Sequence, residues 1–354
     1  MQHGCVYSLT MASITDREAA VYDRQIRLWG LEAQKRLQNS RILICGMRGL
    51  GAEVAKNLAL AGFGVTVQDS SNVCDQDLGA NFFISADQVG KNRAVAALEQ
   101  IKELNPLVET QSLTTSLADI DEATLGPYNC VLLTNHVPLP EQIRLNALCR
   151  KVGVNFFVGD TYGTLGVLFA DLGPAFECKA KAPAKQNAGE NTEAPVFVDK
   201  TITFPNLEKS LSSPWKDLMN RRFGTPSLYF GVLILHRFEK VVGRPIDSSK
   251  EEDLKTLMYI STDMAVEQGE SREDGAAGAF IEEDLLRLLW QTARVELSPV
   301  CAVLGGMIGQ EIVKVIARKG QPLWESGGGN WIFLDTMGMT DQRGGAVVKS
   351  IPPI

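Results

Sequence analysis

The residues best placed for chemistry are Gly46-Met47-Arg48-Gly49-Leu50-Gly51. They follow a short apolar run, RILIC, and open the apolar-periodic stretch GLGAEVAKNLALAG. A glycine-rich turn between a strand and a helix turns backbone N–H groups toward an anion, and the helix dipole adds to the attraction. Asp69 ends the next β-type run, 18 residues after Gly51, where a ribose-binding carboxylate belongs. The pattern predicts a Rossmann-type phosphate loop with Gly46, Gly49, Gly51 and Asp69 as candidate residues.

One position departs from the fingerprint. Counted from Gly46, the G-x-G-x-x-G spacing puts its middle glycine at position 48, where this chain has arginine. That glycine lets phosphate approach the backbone where a Cβ would stand in the way. Arg48 has two readings: a cation added for the phosphate, or a long side chain filling the phosphate space. Its root at the point of closest approach favours the second, and with it a disabled or altered nucleotide site.

Other chemistry is sparse. The seven cysteines (Cys5, Cys45, Cys74, Cys130, Cys149, Cys178 and Cys301) form no C-x-x-C pair. Several sit in apolar runs and read as buried small residues of a reducing compartment. The three histidines, His3, His136 and His236, have no metal-ligand spacing.

The elements that must hold the loop alternate. A mostly helical stretch runs from Ser13, a candidate N-cap without a full capping box, to Asn39-Ser40. Strands are predicted at RILICG, VTVQD, CVLLT and VNFFVG, and helices at MRGLGAEVAKNLALAG, at VGKNRAVAALEQIKELNP and around Glu141 to Val152. This order predicts right-handed βαβ units and a parallel sheet. A pair of short strands follows around Gly163 to Gly166. Lys179 to Pro195 reads as a loop or linker, poor in large apolar residues. Three helical stretches lie between Pro226 and Leu297. SPVCAVLGGMIGQEIVKVIARKG then reads as a helix whose Gly305, Gly306 and Gly309 make either an internal packing face or a dimer face. NWIFLDTMG reads as the final strand. The domains expected are a loose tail (1–12), a Rossmann-like core (13–175), a variable insertion (176–225), a helical half-domain (226–297) and a return to the α/β core (298–354).

Five segments carry a resemblance: YDRQIRLWG (Tyr22 to Gly30), GLGAE (Gly49 to Glu53), VGKNRA (Val89 to Ala94), Asn105-Pro106 and CAVLGGMIGQEIVK (Cys301 to Lys314). Together they resemble the enzymes that activate ubiquitin-like proteins, over about residues 20–175 and 298–340. The likeness is closest to the smaller, thioester-lacking halves of SUMO-activating heterodimers, and it fades over 178–225. It implies an α/β fold of the ThiF/MoeB-type adenylation class, with a Rossmann-like mostly parallel sheet and an inserted helical half-domain.

The resemblance also assigns roles. Active halves carry phosphate-binding Asn and Arg residues after the second strand; here the two Asn positions fall on Asp77 and Gly79 and the Arg on Ala80. A phosphate-binding Lys falls on Arg93. The Asp-Asn pair that holds magnesium after the fourth strand has no counterpart in LLTNHVPLP, which has no carboxylate before Glu141. Hydrogen bonds to charged groups contribute about 1.5–3 kcal/mol each, so three lost ligands remove about 4–9 kcal/mol, or on the order of 10³ to 10⁶ in affinity. The resemblance therefore implies that ATP and magnesium are bound by a larger catalytic partner subunit and none by this chain, with SUMO engaged through the complex. Arg24, in the Tyr-Asp-Arg-Gln motif, would cross the interface to the partner's ATP; read from the residues alone, it pairs with Asp23 or Glu32 on its own helix. Arg27 reads as structural and Trp29 as an apolar anchor. Cys178 reads as a surface thiol rather than a thioester nucleophile. Nuclear residence is implied by the family.

Two alternatives stay open: a helper of the same family for another modifier of the NEDD8 type, and an NAD-binding oxidoreductase using Gly46 to Gly51 with Asp69. The net charge of −7 argues against a broad nucleic-acid surface. No apolar run of membrane-span length is expected, and the N-terminus lacks the pattern of a secretory signal.

Overall fold

Apolar β-type runs alternate with amphipathic helices along the first half of the chain, and they pair as that alternation demands. In the computed structural model, which describes residues 15–181, 197–219, 226–269, 280–323, 330–338 and 347–351, strands β1 (Arg41–Cys45), β2 (Gly64–Gln68), β3 (Thr110–Leu113), β4 (Cys130–Leu133) and β5 (Asn155–Tyr162) are parallel. Strands β6 (Leu165–Asp171), β9 (Trp331–Asp335) and β10 (Val347–Ile351) continue the sheet antiparallel. The full order is β10-β9-β6-β5-β4-β1-β2-β3. The order in which strands are added reverses between β1 and β4, so a crevice opens there at the carboxyl ends of these parallel strands, which is where ligands of open α/β sheets bind. A separate ribbon pairs β7 (Phe176–Lys181) with β8 (Phe197–Ile202).

The helices are α1 (Asp16–Val21), α2 (Asp23–Trp29), α3 (Leu31–Gln38), α4 (Gly49–Ala61), α5 (Arg93–Leu104), α6 (Glu122–Leu125), α7 (Leu139–Val152), α8 (Leu207–Leu211), α9 (Trp215–Met219), α10 (Ser227–Val242), α11 (Glu251–Glu267), α12 (Glu283–Thr292) and α13 (Ser298–Ala317). One core lies between the sheet and α3, α4, α5 and α13; the other lies between the opposite face and α7, α10, α11 and α12. Burial on both faces explains why the strands read as continuous apolar runs rather than alternating ones.

Several expectations are corrected. The first helix is capped by Thr15, not Ser13, and its capping box is complete: the Glu18 amide donates to Thr15 Oγ1 and the Thr15 amide to Glu18 Oε2. Ser13 lies outside the described residues, as do the tail 1–12 and most of the 179–195 stretch. NWIFLDTMG is not the last strand, because β10 pairs along it. Helix α13 is long and apolar enough to cross a membrane by length and composition, contrary to expectation. Its place in the core accounts for that apolarity: it packs along α4, where a Cβ on Gly305 would lie 2.6 Å from the Glu53 Cβ and one on Gly309 3.1 Å from the Asn57 Cβ. Those two glycines serve internal packing. Gly306 has open space beside it.

Candidate functional site

The loop between β1 and α4 takes its shape from its glycines. Gly46 has φ +103°, and a Cβ there would lie 2.6 Å from Thr134 Oγ1. A Cβ on Gly51 would lie 2.0 Å from the Gly46 carbonyl oxygen. No side chain fits at either place, so the tight turn at the strand end and the start of α4 are built as the fingerprint requires.

The anion position of this loop is taken by the chain itself. Glu296, in the segment just before α13, accepts from the Gly49 amide on Oε2 (2.8 Å) and from the Leu50 amide on Oε1 (3.3 Å). Its side chain is 5% exposed. These amides are first-turn donors with no intrahelical acceptor, which is where a phosphate would sit. Arg48 makes no cap of its own. Its guanidinium Nε lies 3.3 Å from Asp77 Oδ1 and 3.7 Å from Glu296 Oε2, over the loop.

A buried charge network lies beneath. Asp69 Oδ2 accepts from the Met47 amide (2.9 Å) and from Arg93 Nη1 (2.7 Å). Asp77 Oδ2 accepts from Arg93 Nε (3.0 Å) and from the Cys74 amide (3.0 Å). Burial pushes the Asp77 carboxyl up, but the Cys74 amide and Arg93 outweigh it and hold it below the usual carboxylate range. Burial likewise opposes the charge on Arg93, and Asp69 and Asp77 more than restore it. Asn81 Nδ2 ties the segment to the Met47 carbonyl (2.7 Å). Ala80 packs on the loop: a Cβ on Gly49 would lie 2.7 Å from the Ala80 Cβ. Gly79 has only open space where its Cβ would be. Gly46, Arg48, Gly49, Gly51, Asp69, Asp77 and Ala80 are thus brought together as expected, with Arg93 at their centre.

Arg24 is elsewhere. It is exposed on α2, which bonds to the far end of α4 through Gln25 and Leu60. Thirteen helical residues separate that end from the loop, roughly 20 Å at 1.5 Å per residue. Neither expected partner is taken up by Arg24: Asp23 pairs with Arg27 (3.0 Å), and Glu32, which lies on α3 rather than on the helix of Arg24, pairs with Lys35 (3.2 Å). Among the described residues Arg24 has no partner. Trp29 is half-buried against the core, in the anchoring role expected of it.

A family model described as the ThiF family matches residues 22–340. The chain belongs to the ThiF family. It is 38% identical over 327 residues to SUMO-activating enzyme subunit 1 of Xenopus laevis, covering 88% of this chain and 92% of that protein. It is 35% identical over 359 aligned residues to the Homo sapiens protein of the same description, covering 96% and 97%. The Danio rerio protein of that description is 37% identical over 329 residues, covering 87% and 90%.

Against this ThiF framework two features went unseen in the sequence. Glu296 is one; it lies 247 positions from Gly49, and no local pattern marks it. The other is a small cleft at the carboxyl ends of β4 and β5, whose polar lining is His136, Asp160, Tyr162, His236, Glu239 and Arg294. His136 and its neighbour Asn135 adopt left-handed backbone (φ 53° and 70°), and the His136 amide donates to Asp160 Oδ1 (2.7 Å). Burial raises the Asp160 carboxyl to about 7 and lowers His136 to about 3 and His236 to about 4. Among the described residues no cluster of His, Cys, Asp and Glu suits a metal. Cys178 is corrected: it is buried in the sheet-side core of this ThiF-family chain, not on the surface, and burial raises its thiol.

Proposed function

We propose that this chain is the thioester-lacking subunit of a heterodimeric SUMO-activating enzyme, inactive alone, that completes the ATP site of a larger catalytic subunit. The relatives' descriptions support the choice of SUMO. The observation that carries the rest is the Glu296 carboxylate seated on the Gly49 and Leu50 amides, beneath Arg48. A triphosphate needs that place, and two anions cannot share it. Asp69 is spent on the Met47 amide and Arg93, which removes the ribose ligand on which an NAD-binding reading depends. Neither ATP with magnesium nor NAD fits the residues present, so no step is derived through a nucleotide in this chain.

The reaction then belongs to the partner. The C-terminal carboxylate of the modifier attacks the α-phosphorus of ATP, a P–O bond to pyrophosphate breaks, and an acyl adenylate forms. Charge builds on the phosphate oxygens as the leaving group departs. Arg24, exposed and without a competing carboxylate among the described residues, is suited to reach across an interface and neutralise that charge with its planar fork of donors. Arginines supplied in trans raise rates by about 10³–10⁵ in phosphoryl transfer. The apolar side chains Val21, Leu28 and Leu60, exposed around it, give the partner a surface to cover.

The test is Arg24→Ala in the reconstituted heterodimer, read by ATP–pyrophosphate exchange. A loss of at least about tenfold is expected; exchange at the wild-type rate sinks the trans role. Calorimetry of the isolated chain with ATP and with NAD checks the closed loop, and measurable heat with either would contradict it.

A further inference from the structure

We propose that Tyr22, Gln25 and Asn105 are positioning residues for Arg24, holding α2 as a cap on the C-terminal end of α4; this rests on the reading of Arg24 as a trans ligand. Helix α2 has seven residues and none of them is fully buried. So short a helix is not held by its own hydrogen bonds or by burial of an apolar face. Besides Trp29 against the core, it is tied down through Gln25, one of three side-chain amides, from α2, α3 and the end of α5, that meet three successive carbonyls at the end of α4. Asn105 Nδ2 donates to the Ala59 carbonyl (2.8 Å), Gln25 Nε2 to Leu60 (3.0 Å) and Gln34 Nε2 to Ala61 (3.0 Å). The last carbonyls of a helix have no intrahelical donor, so Gln25 and Gln34 satisfy the Leu60 and Ala61 carbonyls, while Asn105 adds a second donor to the Ala59 carbonyl, which also accepts from the Gly62 amide (3.1 Å).

Asn105 is the hub. Its Nδ2 also donates to Tyr22 Oη (2.8 Å), and its Oδ1 accepts from the Leu107 amide (3.2 Å). Pro106 forces the residue before it out of the helical region, and Asn105 is extended accordingly, with φ −151° and ψ 93°. That ends α5 and turns the amide toward α4. Tyr22 is fully buried and is the N-cap residue of α2. Its ring lies against Gly62, where a Cβ would be 3.1 Å from Cζ. Arg24 stands between Tyr22 and Gln25, both fixed, while its own side chain is exposed and without a partner among the described residues. This arrangement gives the Tyr-Asp-Arg-Gln and Asn-Pro motifs one shared purpose: they set the rotation and height of α2, and with it the point from which Arg24 projects. A misplacement of about 1 Å at a reacting centre can cost about 10²-fold in rate.

The test uses the reconstituted heterodimer. Tyr22→Phe deletes one hydroxyl, and Gln25→Ala deletes one bond at a partly exposed site. Each is measured for ATP–pyrophosphate exchange, alone and combined with Arg24→Ala, with assembly followed by gel filtration. The expected result for each single variant is a rise of about three- to tenfold in KM for ATP with a fall in kcat, as for a loosened phosphate ligand. In the Arg24→Ala background neither change should have further effect, because the ligand they position is gone. Wild-type constants for both single variants beside an impaired Arg24→Ala overturn the positioning role, as do losses that multiply undiminished in that background. Wild-type exchange by Arg24→Ala itself overturns the underlying reading and is told apart by that variant alone. Should Tyr22→Phe fail to assemble, Gln25→Ala alone decides.

Discussion

Glu296 Oε2 lies 2.8 Å from the Gly49 amide nitrogen, so the start of α4 is capped by a carboxylate from the far side of the helical insertion. That one contact joins the phosphate loop to the segment leading into α13, and it places a negative charge against the positive end of the α4 dipole. Glu296→Ala leaves two amides and Arg48 without it. A loss of about 1.5–3 kcal/mol is expected in urea unfolding. Inorganic phosphate should raise the midpoint of the variant more than that of the wild type. Equal response to phosphate in both proteins would count against the cap.

Arg93 sits between two buried carboxylates. Removing one member of such a set leaves uncompensated charge, which costs about 3–5 kcal/mol. Arg93→Ala is expected to lose about that much stability, and Arg93→Lys part of it, since one ammonium cannot span Asp69 and Asp77 as Nη1 and Nε do. Denaturation midpoints of the two variants check the order. Asp77 also predicts acid lability: its carboxyl is depressed in the fold, so its stabilisation is present above the unfolded carboxylate range and is lost as pH falls through the folded value.

The cleft titrates in the opposite sense at Asp160. Its folded carboxyl is raised to about 7, so the advantage of the protonated form is full below the unfolded range and is lost as pH rises toward 7. His136 and His236 are lowered to about 3 and about 4; they favour the fold above the unfolded histidine range, and that favour fades as pH drops. The histidines mask Asp160 in the raw profile, so the difference between wild type and Asp160→Asn is the measurement. Between pH 5 and 7 that difference should change by as much as ~1.4 kcal/mol per pH unit, in the direction that favours the variant at higher pH. A flat difference would show Asp160 to be ionised throughout.

The glycines of α13 divide sharply. Gly305→Ala puts a methyl 2.6 Å from the Glu53 Cβ and should destabilise the chain by about 1–3 kcal/mol. Gly306→Ala meets open space and should stabilise the isolated chain by up to ~1 kcal/mol through helix propensity. Thermal melts separate the two.

Much of the core could be read from the sequence because its signals are local. The strand runs RILIC and CVLL are continuous and apolar, as burial on both faces of a parallel sheet demands. The turn at Gly46 and the close approach at Gly51 also left their mark, since only glycine fits there. Apart from one capping box, what was missed has no local signature. Edge strand β3 is TQSL, half-buried and polar, and no period betrays it. The capping box at Thr15 and Glu18 lay two residues beyond the residue chosen as N-cap. Cys178 lies in a short two-stranded ribbon, and its burial comes from joining the core on one face of the main sheet, which no local pattern shows. Glu296 could be found only from the folded chain, because what matters is its nearness to Gly49.

Helix α4 is fastened at both tips by this chain's own side chains: by Glu296 at its first amides and by Asn105, Gln25 and Gln34 at its last carbonyls. The front tip is occupied by Glu296 rather than left open to a ligand. On the function proposed, this subunit is the stator of the assembly: movements that accompany each cycle arise across the interface, and α4 gives Arg24 a fixed post to work from.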